Sequence, residues 1–192
     1  MNPRTSLSLA TSLAALALLA GASAQATTLV NGGFEAGDFT GWTQFGNVDL
    51  SGVDTLTVHD GTFGAYFGPA TTPGGIVQTL NTAVGASYTV DFWLKNENAA
   101  SPGMSNAFTF SWGALQVMNL TDANVSPYTH YSFNLTALQT HTDVKFSFRN
   151  DAGFWDLDSV SAVPEPTSMA LMSLGLGVGL LGMVAARRRR AD

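Results

Sequence analysis

The sequence predicts an all-β chain, a two-sheet antiparallel jelly-roll sandwich flanked by an N-terminal signal peptide and a C-terminal transmembrane helix. From residue 87 onward, apolar and polar residues alternate with period two, the pattern of strands buried on one face. Between the alternating runs stand turn-forming clusters: Asn31-Gly32-Gly33, Asp60-Gly61, Pro73-Gly74-Gly75, Ser101-Pro102-Gly103 and Ser126-Pro127. No amphipathic helical pattern of useful length competes with them.

The elements follow in chain order. Arg4 precedes an apolar stretch at 7–20 that ends in Ala22-Ser23-Ala24 and Ala24-Gln25-Ala26, so residues 1–26 read as a signal peptide cleaved after Ala24 or Ala26. Early strands are expected at 28–30, 55–58, 65–67 and 76–80. Tyr88, Val90, Phe92 and Leu94 then form one face of a strand, with Thr89, Asp91, Trp93 and Lys95 on the other. The same alternation places Phe108, Phe110 and Trp112 inward, then Tyr131, Phe133 and Leu135, then Val144, Phe146 and Phe148, with a last strand at 155–162. Short strands at this spacing call for two packed sheets whose inward residues make the core. The domain at 27–162 is long enough for one core and too short for two.

Residues 163–190 form a third unit: Val163-Pro164-Glu165-Pro166, an apolar run at 167–186, and Arg187 to Arg190. At about 1.5 Å per helical residue the run is about 30 Å long, the thickness of a bilayer's hydrocarbon core. Positive flanks stay in the cytoplasm, which puts the sandwich on the other side. The two prolines hold the preceding segment extended.

Within the sandwich three bases (Lys95, Lys145, Arg149) face twelve acids, leaving nine net negative charges. Such a surface repels phosphate backbones, which excludes nucleic acid as a partner, while neutral glycans and divalent cations remain compatible. The chain has no cysteine, so thiol catalysis and cysteine-bound metals are excluded. His59, His130 and His141 fall in no triad, elbow or metalloprotease spacing, and the reading is that of a protein without catalytic residues.

Sugar recognition needs an aromatic ring on the polar side of a strand, because a pyranose stacks its C–H face on the ring while its hydroxyls bond nearby amides and acids. Trp93 meets this best, with Asn96 just beyond it as a donor; Trp155 beside Arg149-Asn150-Asp151 is second and Tyr66 third. Trp42 and Trp112 read as core.

Two resemblances add to this reading. The order Val-Pro-Glu-Pro, Gly-rich apolar helix and arginine cluster over 163–190 resembles the PEP-CTERM sorting signal of exopolysaccharide-forming Gram-negative bacteria. It implies that Pro164, Glu165 and Pro166, with Arg187, Arg188, Arg189 and Arg190, are handled by an exosortase-type membrane protease. The domain would then be anchored transiently and passed to the cell surface or the extracellular matrix. Asn31-Gly32-Gly33-Phe34-Glu35 with Asp38-Phe39-Thr40-Gly41-Trp42, the 61–67 hairpin, and Leu157-Asp158-Ser159-Val160-Ser161 resemble galactose-binding-like jelly rolls, including carbohydrate-binding modules. That resemblance implies a structural Ca²⁺ held by Glu35 and Asp158, with Asp60 from the loop. Ser159 stands where the family commonly has a second aspartate, and Asp156 is a rival ligand. The function expected is an exported glycan-binding or structural protein of the surface or polysaccharide matrix. An adhesin that recognises protein or itself is the alternative, and a glycan-active hydrolase the third reading.

Overall fold

The computed structural model describes residues 28–165. The expected signal peptide at 1–26, the helix at 167–186, Pro166 and the arginine cluster lie outside the described residues. Ten strands form: β1 (Thr43–Gly46), β2 (Ser51–Asp54), β3 (Gly64–Phe67), β4 (Gly74–Asn81), β5 (Ser87–Asn96), β6 (Asn106–Trp112), β7 (Leu115–Thr121), β8 (Ser126–Thr136), β9 (His141–Asn150) and β10 (Trp155–Pro164). They pair antiparallel in two five-stranded sheets, β1-β4-β9-β6-β7 and β2-β3-β10-β5-β8. Among the described residues no helix is long and apolar enough to cross a membrane.

The inward alternation sets are the core. Tyr88, Val90, Phe92 and Leu94 of β5 are buried and face Phe108 and Phe110 of β6 and Val144, Phe146 and Phe148 of β9. Phe110 stacks on its cross-strand partner Phe146 at 5.1 Å, while Phe92 meets Phe146 edge-on at 5.2 Å and Phe67 stacks on Phe148 at 4.0 Å, closing the gap between sheets with rings. Tyr131, Phe133 and Leu135 point the same way from β8 but stay half-buried, because β8 is an edge strand. Trp42 and Trp112 are core residues.

The early strands differ from expectation. Residues 28–30 pair with no strand; instead Val30 N donates to Gln78 Oε1 and Gln78 Nε2 donates back to the Val30 carbonyl. β2 lies at Ser51–Asp54, not 55–58, and β1 and β7 carry no clean alternation. In β7 the reason is a bulge: its register with β6 shifts between Phe110 and Ser111, so Val117 and Met118 both turn partly inward and the period breaks. The domain also runs past 162, since β10 continues to Pro164, which pairs with Tyr88.

A second bulge shapes the outer face. Between Asp158 and Ser161 β10 loses register with β5, Ser159 takes a left-handed φ of 52°, and Val160 N donates to Gly32 O at 2.9 Å. Gly32 is required here, because a Cβ on it would collide with the Val160 carbonyl.

Candidate functional site

The bulge puts Asp158 against the loop between β2 and β3. Its Oδ2 accepts from His59 N at 2.8 Å and Asp60 N at 3.1 Å, and its Oδ1 from Ser159 N. Glu35 approaches the same loop from the N-terminal segment, its Oε1 accepting from Thr62 N at 2.9 Å and Phe63 N at 3.0 Å. Asp60 turns its Oδ1 to its neighbour, Gly61 N. Burial pushes the Asp158 carboxyl above its ordinary pKa, while the amides of Asp60, His59 and Ser159 pull it down. The three acids expected around Ca²⁺ are thus gathered on one loop, but they meet its N–H groups. A calcium cage needs six to eight oxygens. Among the described residues no group of three or more acid or histidine side chains converges enough to hold a metal. As arranged, N–H donors do the cross-linking that a cation would do, and the three side chains form an amide clamp. Adding Ca²⁺ or a chelator is therefore expected to leave the melting temperature unchanged; a rise of several degrees with Ca²⁺ would show that the loop reorganises around the ion.

Because Asp158 draws the loop over the sheet, His59 stacks on Trp93 at 3.8 Å and 18° from the β10 side, and His130 stacks on it at 5.1 Å from β8. The His130 ring nitrogen lies 3.1 Å from Asp91. Trp93 stands on the outward side as expected, but two imidazoles flank it where a sugar would lie. Trp155 is only 1 % exposed, packs on Phe108 and donates from its indole to the Arg149 carbonyl, so it belongs to the core and is no platform. Asn96 is also fully buried. It ties loops, donating to the carbonyls of Ala123 and Asn124 and accepting from Asn150. Both assignments are corrected for one reason: alternation turns these side chains to the inside.

Tyr66 is the expected ring that does line an open cavity. This cavity, of about 400 Å³, is bounded by Leu50, Asp54, Leu56, Thr57, Tyr66, Glu97 and Phe154. Ligand pockets run from about 300 to 1,000 Å³. The other cavity described, about 100 Å³ beside Trp112 and Leu138, falls below that range. Tyr66 and Phe154 meet edge-on at 5.6 Å and 85°. Each rests on a glycine: a Cβ on Gly52 would lie 2.5 Å from the Tyr66 hydroxyl, and one on Gly68 would lie 2.7 Å from the Phe154 ring. The backbone is bare where the aromatic pair needs room.

The register of sheet two sets Asp156 opposite Tyr66 on one side and Lys95 on the other. Lys95 Nζ donates to Asp156 Oδ2 and to Glu97 Oε1, both at 2.8 Å. Asp156 is fully buried and its Oδ1 has no hydrogen-bond partner among the described residues. Burial, against the pull of Lys95, pushes its carboxyl up to about 6. Burial also works against the Lys95 ammonium, but its two carboxylate partners outweigh it and hold the pKa above the ordinary value. Tyr128 closes the row from β8, its hydroxyl donating to Thr57 O at 2.6 Å and its pKa raised by burial and then by Asp156.

With the geometry in place, the fold finds its likenesses among solved structures. The module TmCBM61, in complex with β-1,4-galactotriose, matches with a TM-score of 0.53 at 18% identity, covering 72% of this chain and 99% of that one. The fold is that of carbohydrate-binding modules. The CBM22-1 and GH10 modules of Clostridium thermocellum xylanase 10B, complexed with xylohexaose, match with a TM-score of 0.51 at 17% identity over 72% of this chain and 29% of theirs. The enzymatically active domain of tailspike protein 4 from bacteriophage CBA120 matches with a TM-score of 0.52 at 13% identity, over 71% of this chain and 21% of that one. No family model and no curated protein matches the sequence.

Phe154 and Glu97 were missed from sequence, while Lys95 was placed beside Trp93 and Asp156 among the candidate Ca²⁺ ligands. A usable signal existed in Phe154-Trp155: of two adjacent rings at the start of a strand, only one can face in. The choice fell on Trp155, which is the inner one.

Of the segment expected to carry a C-terminal sorting signal, Val163, Pro164 and Glu165 are described. Glu165 N donates to Ser87 O at 2.8 Å, and Glu165 Oε1 accepts from Thr89 Oγ1 at 2.9 Å and Asn134 Nδ2 at 2.7 Å. Pro164 and Glu165 are extended, but they lie hydrogen-bonded along β5 and are not a free strand.

Proposed function

We propose that this is an exported, non-catalytic glycan-binding protein that acts at the cell surface or in an extracellular polysaccharide matrix. The observation that carries the reading is the Tyr66–Phe154 pair, seated on Gly52 and Gly68 beside the Glu97–Lys95–Asp156 relay. Rings supply a stacking surface for a pyranose, and the carboxylates accept from its hydroxyls. The fold is shared with modules solved in complex with a galactotriose and a xylohexaose, which supports a glycan as the ligand class. The binding reading also agrees with how the histidines and acids are engaged. His59 and His130 are committed to Trp93, and the acids Glu97 and Asp156 share one lysine instead of standing apart across a substrate. Binding of the full chain to a panel of immobilised polysaccharides tests this; retention of none of them, or turnover of one, overturns it.

Export and sorting belong to the same proposal. The reading is that the signal peptide directs export, the tail anchors the chain transiently, and an exosortase-type protease acts at Pro164-Glu165-Pro166. The docking of Pro164 and Glu165 at the end of β10 supports it in one respect: the motif begins where the folded domain ends. Mass spectrometry of the protein from its host is expected to find neither residues 1–24 nor the arginine cluster in the mature chain. Recovery of an intact tail would replace processing with permanent anchoring.

A further inference from the structure

We infer that the Tyr66–Phe154 pocket selects a polysaccharide whose sugars carry free, protonated amino groups. The inference rests on the glycan-binding reading above and names the ligand class of that site. Its first support is the charge of the wall. Asp54 and Glu97 line the cavity, and no base lines it among the described residues. The nearest cation, Lys95, is already held at 2.8 Å by two carboxylates, Glu97 and Asp156. An incoming uronate would find carboxylates and no unengaged cation, which repels it. An ammonium would find the reverse.

The second support is independent of the wall. Asp156 pairs with Tyr66 across neighbouring strands, fully buried, with one carboxylate oxygen bonded to Lys95 and the other without a partner among the described residues. With Asp54 and Glu97 in the wall and the Asp156–Lys95 pair beside it, three acids stand against one base, which leaves an excess of negative charge next to the rings. Aromatic faces attract organic cations most when acids stand beside them. Tyr66 and Phe154 with Glu97 and Asp54 form such a surround. A hydroxyl would donate one hydrogen bond here, whereas an ammonium donates up to three and also lowers the excess charge. The size of the cavity favours a sugar as the bearer of that amine. About 400 Å³ accommodates a ring with its substituents, while a lysine stem would leave the aromatic wall largely uncovered. The surplus of acids over the whole domain draws a cationic polymer in from a distance.

Calorimetric titration of the full chain with a β-1,4-linked glucosamine tetramer, its N-acetylated counterpart and a galacturonate tetramer tests the inference. The glucosamine tetramer is expected to bind about tenfold tighter than the N-acetylated one, the size of one charge-assisted hydrogen bond, and the galacturonate not at all. Glu97→Gln, at a half-exposed position that does not hold the core, is expected to remove most of that preference. Equal affinity for the amine and its acetylated form overturns charge selection and leaves the glycan reading standing. Failure of all three tetramers and of every neutral glycan overturns both. A short polylysine bound as tightly as the glucosamine tetramer overturns the sugar as the source of the amine.

Discussion

Asp158→Ala is expected to lower the stability of the sandwich by about 3 kcal/mol, since it strands three part-buried amide donors that cost about 1–3 kcal/mol each when unsatisfied, less what water recovers at the loop. The carboxylate holds His59 N and Asp60 N across 99 and 98 residues of chain, besides the adjacent Ser159 N, so no local rearrangement of the loop replaces it. The same acid keeps His59 on Trp93, and the loop over the outer face of sheet two should come free with it. Urea unfolding should show the midpoint fall with an unchanged slope. Hydrogen exchange at the His59 and Asp60 amides should rise before global unfolding. Asp158→Asn, which keeps one acceptor oxygen, should recover part of the loss. A cost under about 1 kcal/mol would mean that the loop is held mainly by Glu35 and its own packing.

Tyr66→Ala is expected to weaken glycan binding about thirtyfold, the scale of an aromatic anchor worth about 2 kcal/mol at the centre of a contact. The ring lies outside the core, so the fold should survive, with a loss confined to the contact with Phe154. Tyr66→Phe keeps the ring and should retain most of the affinity. Trp93→Ala supplies the contrast. Both imidazole neighbours already occupy its surroundings, so its removal should change affinity less than about twofold while lowering stability. If Trp93→Ala abolishes binding and Tyr66→Ala does not, the site lies over the histidines and the pocket is not the glycan site.

The fold was legible where alternation was strong. Over 88–94 of β5, 108–112 of β6, 131–135 of β8 and 144–148 of β9 every second residue is large and apolar, and each of those side chains is turned toward the opposing sheet. It was illegible where a bulge or a short strand breaks the period: β1 and β2 have four residues each, and β7 slips against β6. The candidate site was legible in part. Tyr66 came from the sequence; Phe154, Glu97, Lys95 and Asp156 join it only through the pairing of β3, β10 and β5. Glu35, Asp60 and Asp158 were expected to share one place, and they do reach one loop, but the direction of that loop's N–H groups could not be read from residue types.

From the sequence alone came the all-β class, the side of each long strand that faces inward, and the surplus of acid. These follow from local chemistry, since side-chain direction in a strand is set by the pleat and charge is set by composition. Only the tertiary structure decided which outward ring is open. A period of two says which face of a sheet a side chain takes, not what a distant segment lays across that face. Asp158 pulls the 59–63 loop onto Trp93, and Gly52 and Gly68 clear the ground for Tyr66 and Phe154.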